Sequence, residues 1–229
     1  MNVLVFGANG DIGRDITHYL ASKNYNIVRA LRKTDSNPNN LPFNDITVDI
    51  LDNNFSEMLG HKYDAIVFAQ GINFNDSVLE FDDKKHIEMY AVNCLFILKA
   101  MNFLVTNELL TNNSNVVILS SIWQNIARQN KLSYMVTKSA IAGIVMSLSI
   151  DLASRGCSVN AILPGAIETK MTLANLSTQQ IESLKKQTPS GSLATTNDIA
   201  KAVEFLISST GITGQMINID YGFSYAKFF

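Results

Sequence analysis

The chain has 229 residues, 47% of them hydrophobic and 17% charged, with a formal net charge of −2. These values predict a globular protein with a sizeable core in one domain, residues 1–229. There is no basic excess to suggest a nucleic-acid partner and no apolar stretch of about 18 uncharged residues to suggest a membrane span, so we expect a small-molecule partner.

Short β-branched runs alternate with longer amphipathic runs from the first residues onward. The first, Met1–Phe6, enters a strand directly and lacks the charged start of a secretory signal, which favours a cytoplasmic location. Helical patterns such as Tyr134–Ser154 lie between most strands and return the chain to a parallel neighbour. The sequence therefore predicts an α/β fold with a mostly parallel sheet. Its predicted strands are Asn2–Phe6, Asn26–Ala30, Ile46–Asp49, Ala65–Ala69, Val116–Ser120, Ser158–Leu163 and Met216–Asp220.

The first predicted strand runs into a glycine-rich turn and then a helix. Glycines let the backbone turn sharply and approach a pyrophosphate, and the free N–H groups and dipole of the helix start favour an anion. A dinucleotide site at this turn is the functional interpretation, and a tight turn without a ligand is the alternative. Asp11 could also cap the helix and compete with phosphate for the backbone donors. The turn consists of Gly7, Ala8, Asn9, Gly10, Asp11, Ile12 and Gly13.

Tyr134 and Lys138 lie four residues apart in the longest predicted helix and therefore share a face. An ammonium beside a phenol favours the phenolate, so we expect the pKa of Tyr134 to fall from about 10 toward neutrality. Such a tyrosine could both donate and accept a proton. The two cysteines, Cys94 and Cys157, lack a metal-type spacing, so neither a zinc site nor a disulfide framework is expected.

Several motifs occur in an order that resembles the short-chain dehydrogenase/reductase family, from Met1 to about Gly222. Ser121 precedes Tyr134 by the usual separation, and the whole pattern is most similar to 3-oxoacyl carrier-protein reductases. The resemblance implies a doubly wound, Rossmann-type sheet of seven strands with helices on both faces. Besides the glycine turn and the Tyr–Lys pair, the matching positions are Ala69, Gln70, Gly71, Asn93, Ser121, Pro164, Gly165, Ile167, Thr169, Ile212–Gln215 and Asp220.

The resemblance also implies a reaction, the transfer of a hydride between nicotinamide and a carbonyl or secondary alcohol. Tyr134 would be the general acid and base, and Ser121 would hydrogen-bond the substrate oxygen. Lys138 would lower the pKa of Tyr134 and hold the nicotinamide ribose, and Asn93 would position a water between Lys138 and solvent. The adjacent Ser120 leaves the assignment of Ser121 open, and for Asn93 local hydrogen bonding within a helix is the alternative.

The end of the second strand indicates which dinucleotide is bound. An acidic residue there, which would bond the ribose diol of NAD, is absent, and the run Arg29–Lys33 supplies cations instead. Arg32 falls where NADP-selecting family members often carry arginine, so we expect NADP(H); a solvated basic loop is the alternative. Asp49 and Ile50 resemble the pair that receives the adenine ring.

The substrate is less constrained. A lid is expected over residues 166–196, and Trp123 and Ile126 predict a mostly apolar cavity. A 3-oxoacyl-type substrate is what the resemblance implies. A non-enzymatic NADP-binding sensor and a nucleotide-sugar epimerase or dehydratase are the alternative functions, although the latter usually needs a further domain. A homodimer or homotetramer is expected from two helices that are apolar on more than one face. The apolar residues concerned are Ile97, Leu98, Met101, Leu104, Val105, Ile141, Ile144, Val145, Leu148 and Leu152.

Overall fold

A computed structural model describes residues 1–32, 43–48, 54–168 and 177–226. The described strands are β1 (Asn2–Phe6), β2 (Asn26–Leu31), β3 (Asn44–Thr47), β4 (Tyr63–Phe68), β5 (Leu110–Leu119), β6 (Ser158–Pro164), β7 (Ile167–Glu168), β8 (Ala194–Thr195) and β9 (Met216–Ile219). The described α-helices are α1 (Asp11–Ser22), α2 (Asp83–Tyr90), α3 (Phe96–Thr106), α4 (Leu132–Asp151), α5 (Thr178–Lys186) and α6 (Thr196–Ser208).

Seven strands form one sheet in the order β3-β2-β1-β4-β5-β6-β9, and every neighbouring pair is parallel. The predicted doubly wound, Rossmann-type sheet is therefore confirmed. The strands are parallel because helical crossovers connect them and cover both faces of the sheet. Strand β3 begins at Asn44, two residues before its predicted start, and β5 begins at Leu110 rather than Val116.

Alternate residues of each strand enter two separate cores, one on either face of the sheet. In β1, Leu4 and Phe6 face one core, whereas Val3 and Val5 face the other. The first core contains residues of α3 and α4, and the second contains residues of α1 and α6. Burial on both faces explains why the central strands are nearly continuous apolar runs in the sequence. It also fixes α4, and therefore Tyr134, against the sheet.

Strands β7 and β8 form a separate two-stranded parallel sheet, which the sequence did not predict. Each contains only two residues, which is too short for an alternating pattern to show. A second unpredicted feature is a π-helical turn over Ala91–Leu95, between α2 and α3. Here the Phe96 N–H donates to the carbonyl of Ala91, five residues earlier.

The helical segments Asp83–Thr106 and Leu132–Asp151 are long and apolar enough to cross a membrane by length and composition alone. Both contribute residues to the core on one face of the sheet, among them Phe96 and Val145. Core helices of soluble proteins meet the same criterion. The apolar character of these segments is therefore explained by their packing against the sheet.

The chain itself covers most of the apolar residues from which we expected an assembly interface. Of the ten, Leu98 is exposed at 39%, while Leu148 and Val105 are partly buried. The rest are fully buried within the chain: Ile97, Met101, Leu104, Ile141, Ile144, Val145 and Leu152. That reason for an interface was therefore wrong for the buried residues. Exposed apolar residues do occur on α4, however, at Met146 (54%) and Ile150 (76%).

Candidate active site

The carboxyl ends of β1, β4, β5 and β6 lie at one edge of the sheet. Strand order reverses beside β1, because the chain moves outward to β2 and β3 on one side and to β4 and β5 on the other. Ligands of open α/β sheets bind in the crevice at such a switch point. The glycine turn follows β1, Gln70 follows β4, Ser121 follows β5, and Gly165 follows β6. Most of the predicted site residues are therefore brought together by the topology.

The glycine turn is closely packed at two of its glycines and open at the third. Gly7 has φ +73°, and a Cβ there would lie 2.5 Å from the backbone nitrogen of Gln70. A Cβ on Gly13 would lie 2.1 Å from the carbonyl oxygen of Gly7. At Gly10, in contrast, the nearest atom would be the same oxygen at 3.4 Å, an ordinary contact. Gly10 is exposed at the start of α1, so its lack of a side chain leaves this helix end accessible.

Asp11 does not cap α1 as we had considered. The cap position is Gly10, which makes no side-chain hydrogen bond, and Asp11 occupies the first turn. Its carboxylate instead accepts a hydrogen bond from Arg14 at 2.8 Å and forms an ion pair with it. The backbone donors at the start of α1 therefore do not have to be shared with the Asp11 side chain.

A cleft of about 370 Å³ extends from the glycine turn across the end of β2 and along the loop after β4. A second cavity of about 150 Å³ adjoins it and shares Ala69–Ile72. The first is lined by Phe6, Gly7, Asn9, Gly10, Ala30, Arg32, Val48, Val92 and Phe96, and the second by Ile12, Asn73, Leu119, Ser120, Tyr134, Lys138 and Pro164. An elongated ligand could thus reach from the glycine turn to the Tyr–Lys pair.

Gln70 lines both cavities and carries an amide without a partner. Its nitrogen and its oxygen are both buried, and neither makes a hydrogen bond within the described chain. A buried polar group without a partner costs about 1–3 kcal/mol, so such a group usually has a ligand or water to bond. The residues present therefore fit a ligand with polar groups, such as a dinucleotide.

The Tyr134–Lys138 pair adopts the predicted arrangement on one face of α4. The Lys138 Nζ lies 5.6 Å from the centroid of the Tyr134 ring and donates a hydrogen bond to the Leu119 carbonyl at 3.0 Å. Lys138 is only 4% exposed, and this burial lowers its pKa to about 8, although the charge of Cys94 acts in the opposite direction. The lysine is therefore held rigidly at the end of β5, beneath the tyrosine.

The expected lowering of the Tyr134 pKa was wrong for this structure. Burial raises the pKa of Tyr134, and the side-chain hydrogen bond with Ser121 lowers it by a smaller amount. Removal from water disfavours the charged phenolate, and this effect outweighs the local interactions that favour it. Tyr134 is consequently protonated at neutral pH and ready to act as an acid.

Ser121 and its neighbour Ser120 have different partners. Ser120 is occupied elsewhere, since its hydroxyl donates to the Gln124 side chain at 2.8 Å. The Ser121 hydroxyl accepts the backbone N–H of Trp123 at 3.3 Å and shares a hydrogen bond with Tyr134. The hydroxyls of Ser121 and Tyr134 can therefore both bond the same substrate oxygen. The Ser121 side chain also caps the short 3-10 turn Ile122–Gln124.

Asn93 lies in the π-helical turn and is 1% exposed. Its Oδ1 accepts the N–H of Ile72 at 2.9 Å, while its amide nitrogen donates to the Ile72 carbonyl at 3.0 Å and to the Thr137 hydroxyl at 3.1 Å. A Cβ on Gly71 would lie 3.3 Å from this Oδ1 and 3.7 Å from the Lys138 Nζ. Asn93 thus connects the loop after β4 to α4, and its predicted water stays a prediction.

The comparison with known proteins identifies the family. A family model described as enoyl-(acyl carrier protein) reductase matches residues 47–224. The chain belongs to the short-chain dehydrogenase/reductase family. The predicted family resemblance is therefore confirmed, and the family supports an oxidoreductase that acts on alcohol and carbonyl groups.

Individual relatives agree with this family. An uncharacterised oxidoreductase of Bacillus subtilis, YmfI, is 27% identical over 96% of this chain and 97% of its own length. The 3-oxoacyl-[acyl-carrier-protein] reductase FabG of Rickettsia bellii is 30% identical over 70% of this chain and 67% of its own. A putative 2-deoxy-D-gluconate 3-dehydrogenase of Agrobacterium tumefaciens, solved with bound NADP, is 25% identical, with a TM-score of 0.85 over 97% of this chain and 95% of that one.

Some of the predicted cofactor-binding residues belong to the described part of the chain, and others lie outside it. Arg32 lies at the end of β2, where it is exposed and lines the larger cleft. Arg29 belongs to the same basic run but is only 4% exposed. Its guanidinium donates two hydrogen bonds of 2.7 Å to Asp45, so it stabilises the fold. Asp49, Ile50 and Thr169 lie outside the described residues.

The loop after β6 packs against the C-terminal part of the described chain. A Cβ on Gly165 would lie 2.8 Å from the Cβ of Asp220, and the Asp220 carboxylate accepts the N–H groups of Gly222 and Ser224, each at 2.9 Å. Ile167 begins β7, which pairs with β8 just before α6. Two matched motifs that are far apart in the sequence, after β6 and after β9, thus lie in contact.

Sequence reasoning missed one residue that supports this site, Asp76 in the loop after β4. Its Oδ1 accepts the backbone N–H of Ser133 at 3.0 Å, and its Oδ2 accepts the Ser133 hydroxyl. That hydroxyl also lies 2.7 Å from Nδ1 of His86. The cap position of α4, Lys131, makes no side-chain cap bond, and such an uncapped helix start is the signal that could have indicated a distant partner.

Proposed function

We propose that this protein is an NADP(H)-dependent oxidoreductase that transfers a hydride between nicotinamide and a carbonyl or secondary alcohol. The observation that carries the proposal is the position of Tyr134 and Lys138 in a cavity continuous with the glycine-turn cleft. A single-domain arrangement over residues 1–229 is part of the proposal. Cytoplasmic action fits the soluble enzymes of the family, and we expect it here.

The proposed cofactor would lie along the cleft. The glycine turn, Gly7–Gly13, would hold the pyrophosphate with its backbone N–H groups. Arg32 would pair with the ribose phosphate that distinguishes NADP from NAD, because a guanidinium forms paired, charge-assisted bonds with phosphate. The unpartnered amide of Gln70 would bond the cofactor where this cleft meets the cavity of Tyr134. The Agrobacterium relative with bound NADP supports this choice of dinucleotide.

The proposed chemistry assigns one task to each side chain. When bound, NADPH supplies the hydride. Tyr134 would donate its phenolic proton to the carbonyl oxygen during reduction, and the Ser121 hydroxyl would hold that oxygen and stabilise its developing charge. The Lys138 ammonium, fixed by the Leu119 carbonyl, would then stabilise the phenolate that remains. Because burial raises the pKa of Tyr134, the free protein carries the proton that reduction requires.

For the substrate we propose a carbonyl compound of the 3-oxoacyl type. Trp123 and Phe223 contact each other edge to face at 6.0 Å, and this pair would form an apolar wall beside the substrate. The 3-oxoacyl-[acyl-carrier-protein] reductases among the relatives support this substrate class. The proposed lid, residues 166–196, includes α5, whose start is fixed by a complete capping box of Ser177 and Gln180.

The test of the catalytic assignment is Tyr134→Phe, measured by NADPH consumption with a panel of ketones and 3-oxoacyl thioesters. General acid catalysis contributes about 100-fold or more, so turnover should fall by at least that factor. The affinity for NADPH, followed by nicotinamide fluorescence, should change little. Tyr90→Phe, at an exposed residue of α2, is the matched control and should retain full activity. NADPH binding without turnover of any compound would favour the non-enzymatic sensor.

The test of the cofactor assignment is Arg32→Ala, with NADPH and NADH titrated separately. We expect a selective loss of NADPH affinity of about 10-fold or more, in line with the loss of a charge-assisted pair. Arg155→Ala, at an exposed arginine after α4, is the control. Equal losses for the two cofactors, or a wild-type preference for NADH, would contradict the role of Arg32.

We also propose a homodimer or homotetramer. Exposed apolar residues on the α3 side of the molecule, Leu95 and Leu98, and on α4, Met146 and Ile150, support it. Residues of this size at these exposures are commonly covered by a second subunit when they form a continuous patch. An interface at α4 would also brace the helix that carries Tyr134.

A further inference from the structure

A second lysine, Lys131, contacts two residues that line the cavity of Lys138. Its Nζ is 5.9 Å from the centroid of the Tyr134 ring and donates a hydrogen bond of 2.8 Å to the Asn73 side chain. Asn73 and Tyr134 both line the cavity that contains Lys138. Lys131 is placed immediately before α4, so one turn of helix separates it from Tyr134. Its ammonium is therefore held at the edge of the space where a substrate would lie.

Arg128 brings a second positive charge to the same place. Its guanidinium carbon lies 5.3 Å from the ring centroid of Trp123, the residue two positions after Ser121. Burial lowers the pKa of Lys131, and the charge of Arg128 lowers it further, whereas that of Asp76 raises it. The Arg128 backbone N–H also contacts the Met135 sulfur at 3.4 Å, which places Arg128 against the first turn of α4, next to Tyr134.

No carboxylate within the described residues forms an ion pair with either cation. The ion pairs of those residues join Arg14 to Asp11, Arg29 to Asp45, Lys85 to Asp82 and Lys185 to Glu182. Asp76 is the nearby carboxylate, but both of its oxygens accept hydrogen bonds from Ser133. Two cations and one carboxylate leave an excess of one positive charge in this group.

The surroundings of this charge are aromatic. Trp123 supports the guanidinium on its ring and meets Phe223 edge to face, and both residues are partly buried. An arginine over an indole keeps its donors free at the rim of the guanidinium plane, which suits it for binding an anionic oxygen. A charged end and an apolar wall are therefore presented side by side, next to Tyr134.

We propose that Lys131 and Arg128 bind a singly charged anionic group, a carboxylate or a phosphodiester, on an otherwise apolar carbonyl substrate. The inference deepens the proposed function and rests on it, since it specifies the substrate of the same site. The two cations would orient the substrate by its charged end, while its carbonyl lies at Tyr134 and Ser121. They would be specificity-determining residues and take no part in the proton transfer.

The experiment uses Trp123, the one tryptophan of the chain, as a probe that requires no turnover. Its fluorescence is followed while the protein is titrated with hexanoate, hexyl methyl phosphate or the neutral hexanamide. We expect one of the anions to bind at least tenfold more tightly than hexanamide. The anion that binds more tightly identifies the group as a carboxylate or a phosphodiester, and equal binding of all three compounds would overturn the inference.

The same titration is then repeated with the double variant Lys131→Met/Arg128→Met. We expect the preference for the anion to fall at least tenfold, with hexanamide affinity unchanged. Arg155→Met/Lys201→Met, which removes one arginine and one lysine from exposed positions elsewhere, is the matched control and should keep the preference. Retention of the preference in the Lys131/Arg128 variant would refute the assignment of these residues.

Failure of this inference and failure of the proposed function give different results. A protein that reduces neutral ketones but binds hexanoate, hexyl methyl phosphate and hexanamide equally would contradict the inference alone. A protein that selects an anion through Lys131 and Arg128 but shows no turnover would support the anion site and contradict the proposed reaction. Tyr134→Phe should leave the anion preference intact, because its hydroxyl is assigned to the carbonyl oxygen.

Discussion

Asp76 holds the start of α4, the helix that carries Tyr134, from a distant part of the chain, and its removal should lower the stability more than the loss of an ordinary helix cap. Its two oxygens accept the N–H and the hydroxyl of Ser133, which is 1% exposed and directly precedes Tyr134. Asp76→Ala removes a helix cap, which costs about 1 kcal/mol and up to about 2. It also deprives a buried hydroxyl of its acceptor, at about 1–3 kcal/mol.

His86 can partly replace that acceptor, because its Nδ1 already lies 2.7 Å from the hydroxyl. We therefore expect Asp76→Ala to lower the free energy of unfolding by about 2–3 kcal/mol, between the cap alone and the sum of both effects. Turnover should fall as well, since the first turn of α4 positions Tyr134. Asp76→Asn retains an oxygen acceptor for the N–H and should recover part of both losses.

The assay is urea denaturation at a fixed protein concentration, so that any change in assembly does not alter the comparison. Asp82→Ala is the matched control. Asp82 caps α2 by accepting the N–H groups of Lys84 and Lys85 at 3.1 and 3.2 Å, but its side chain is 47% exposed. Asp82→Ala should therefore lower the free energy of unfolding by about 1 kcal/mol. If Asp76→Ala costs no more than Asp82→Ala, Asp76 does not support α4 in the way described.

Three further predictions concern the buried lysine, the glycine turn and the assembly. Because burial lowers the pKa of Lys138 to about 8, the unfolded chain binds more protons than the folded one between about pH 8 and pH 10.5. Urea denaturation should therefore show the stability of the wild type rising relative to Lys138→Met from neutral pH to about pH 9.5, and a constant difference would contradict the lowered pKa. Gly13→Ala should prevent stable folding, since its Cβ would lie 2.1 Å from the Gly7 oxygen. Gly10→Ala should keep the thermal transition of the wild type and bind NADPH about tenfold more weakly. Equal thermal stability of the two variants would contradict this difference. Ile150→Asp should yield a single-chain mass in light scattering, and an unchanged larger mass would exclude α4 from the interface.

The sheet could be predicted from the sequence because its strands are buried on both faces and appear as apolar runs between helical patterns. The same runs located the ends of β1, β4, β5 and β6, where the site residues lie. Strands β7 and β8 could not be predicted, because two residues show no periodicity. The π-helical turn was also invisible, since its apolar residues suit an α-helix equally well.

Predictions about side chains succeeded where one helix determined the geometry and failed where distant elements did. Tyr134 and Lys138 share a face because of their spacing alone. The direction in which the Tyr134 pKa shifts depends on how far the side chain is buried, which the spacing of residues in the sequence does not reveal. Asp11 is an exception within a single helix, because Arg14 one turn later pairs with the carboxylate that was considered as a cap. Asp76 was missed because its partner, Ser133, is 57 residues away in the sequence.

Because of the π-helical turn at Ala91–Leu95, the orientation of α2 relative to α3 depends on the number of residues in this helical segment. A π turn contains about one residue more than an α turn, and one residue corresponds to a rotation of about 100° around the helix axis. Deleting a residue here would leave a continuous α-helix of nearly the same span, yet it would turn α2 relative to α3. Met89, now fully buried, would leave the core, and Asn93 would no longer face Ile72 and Thr137. A deletion in a surface loop changes the path of the chain only locally, whereas a deletion at this turn would rotate the whole of α2 relative to α3.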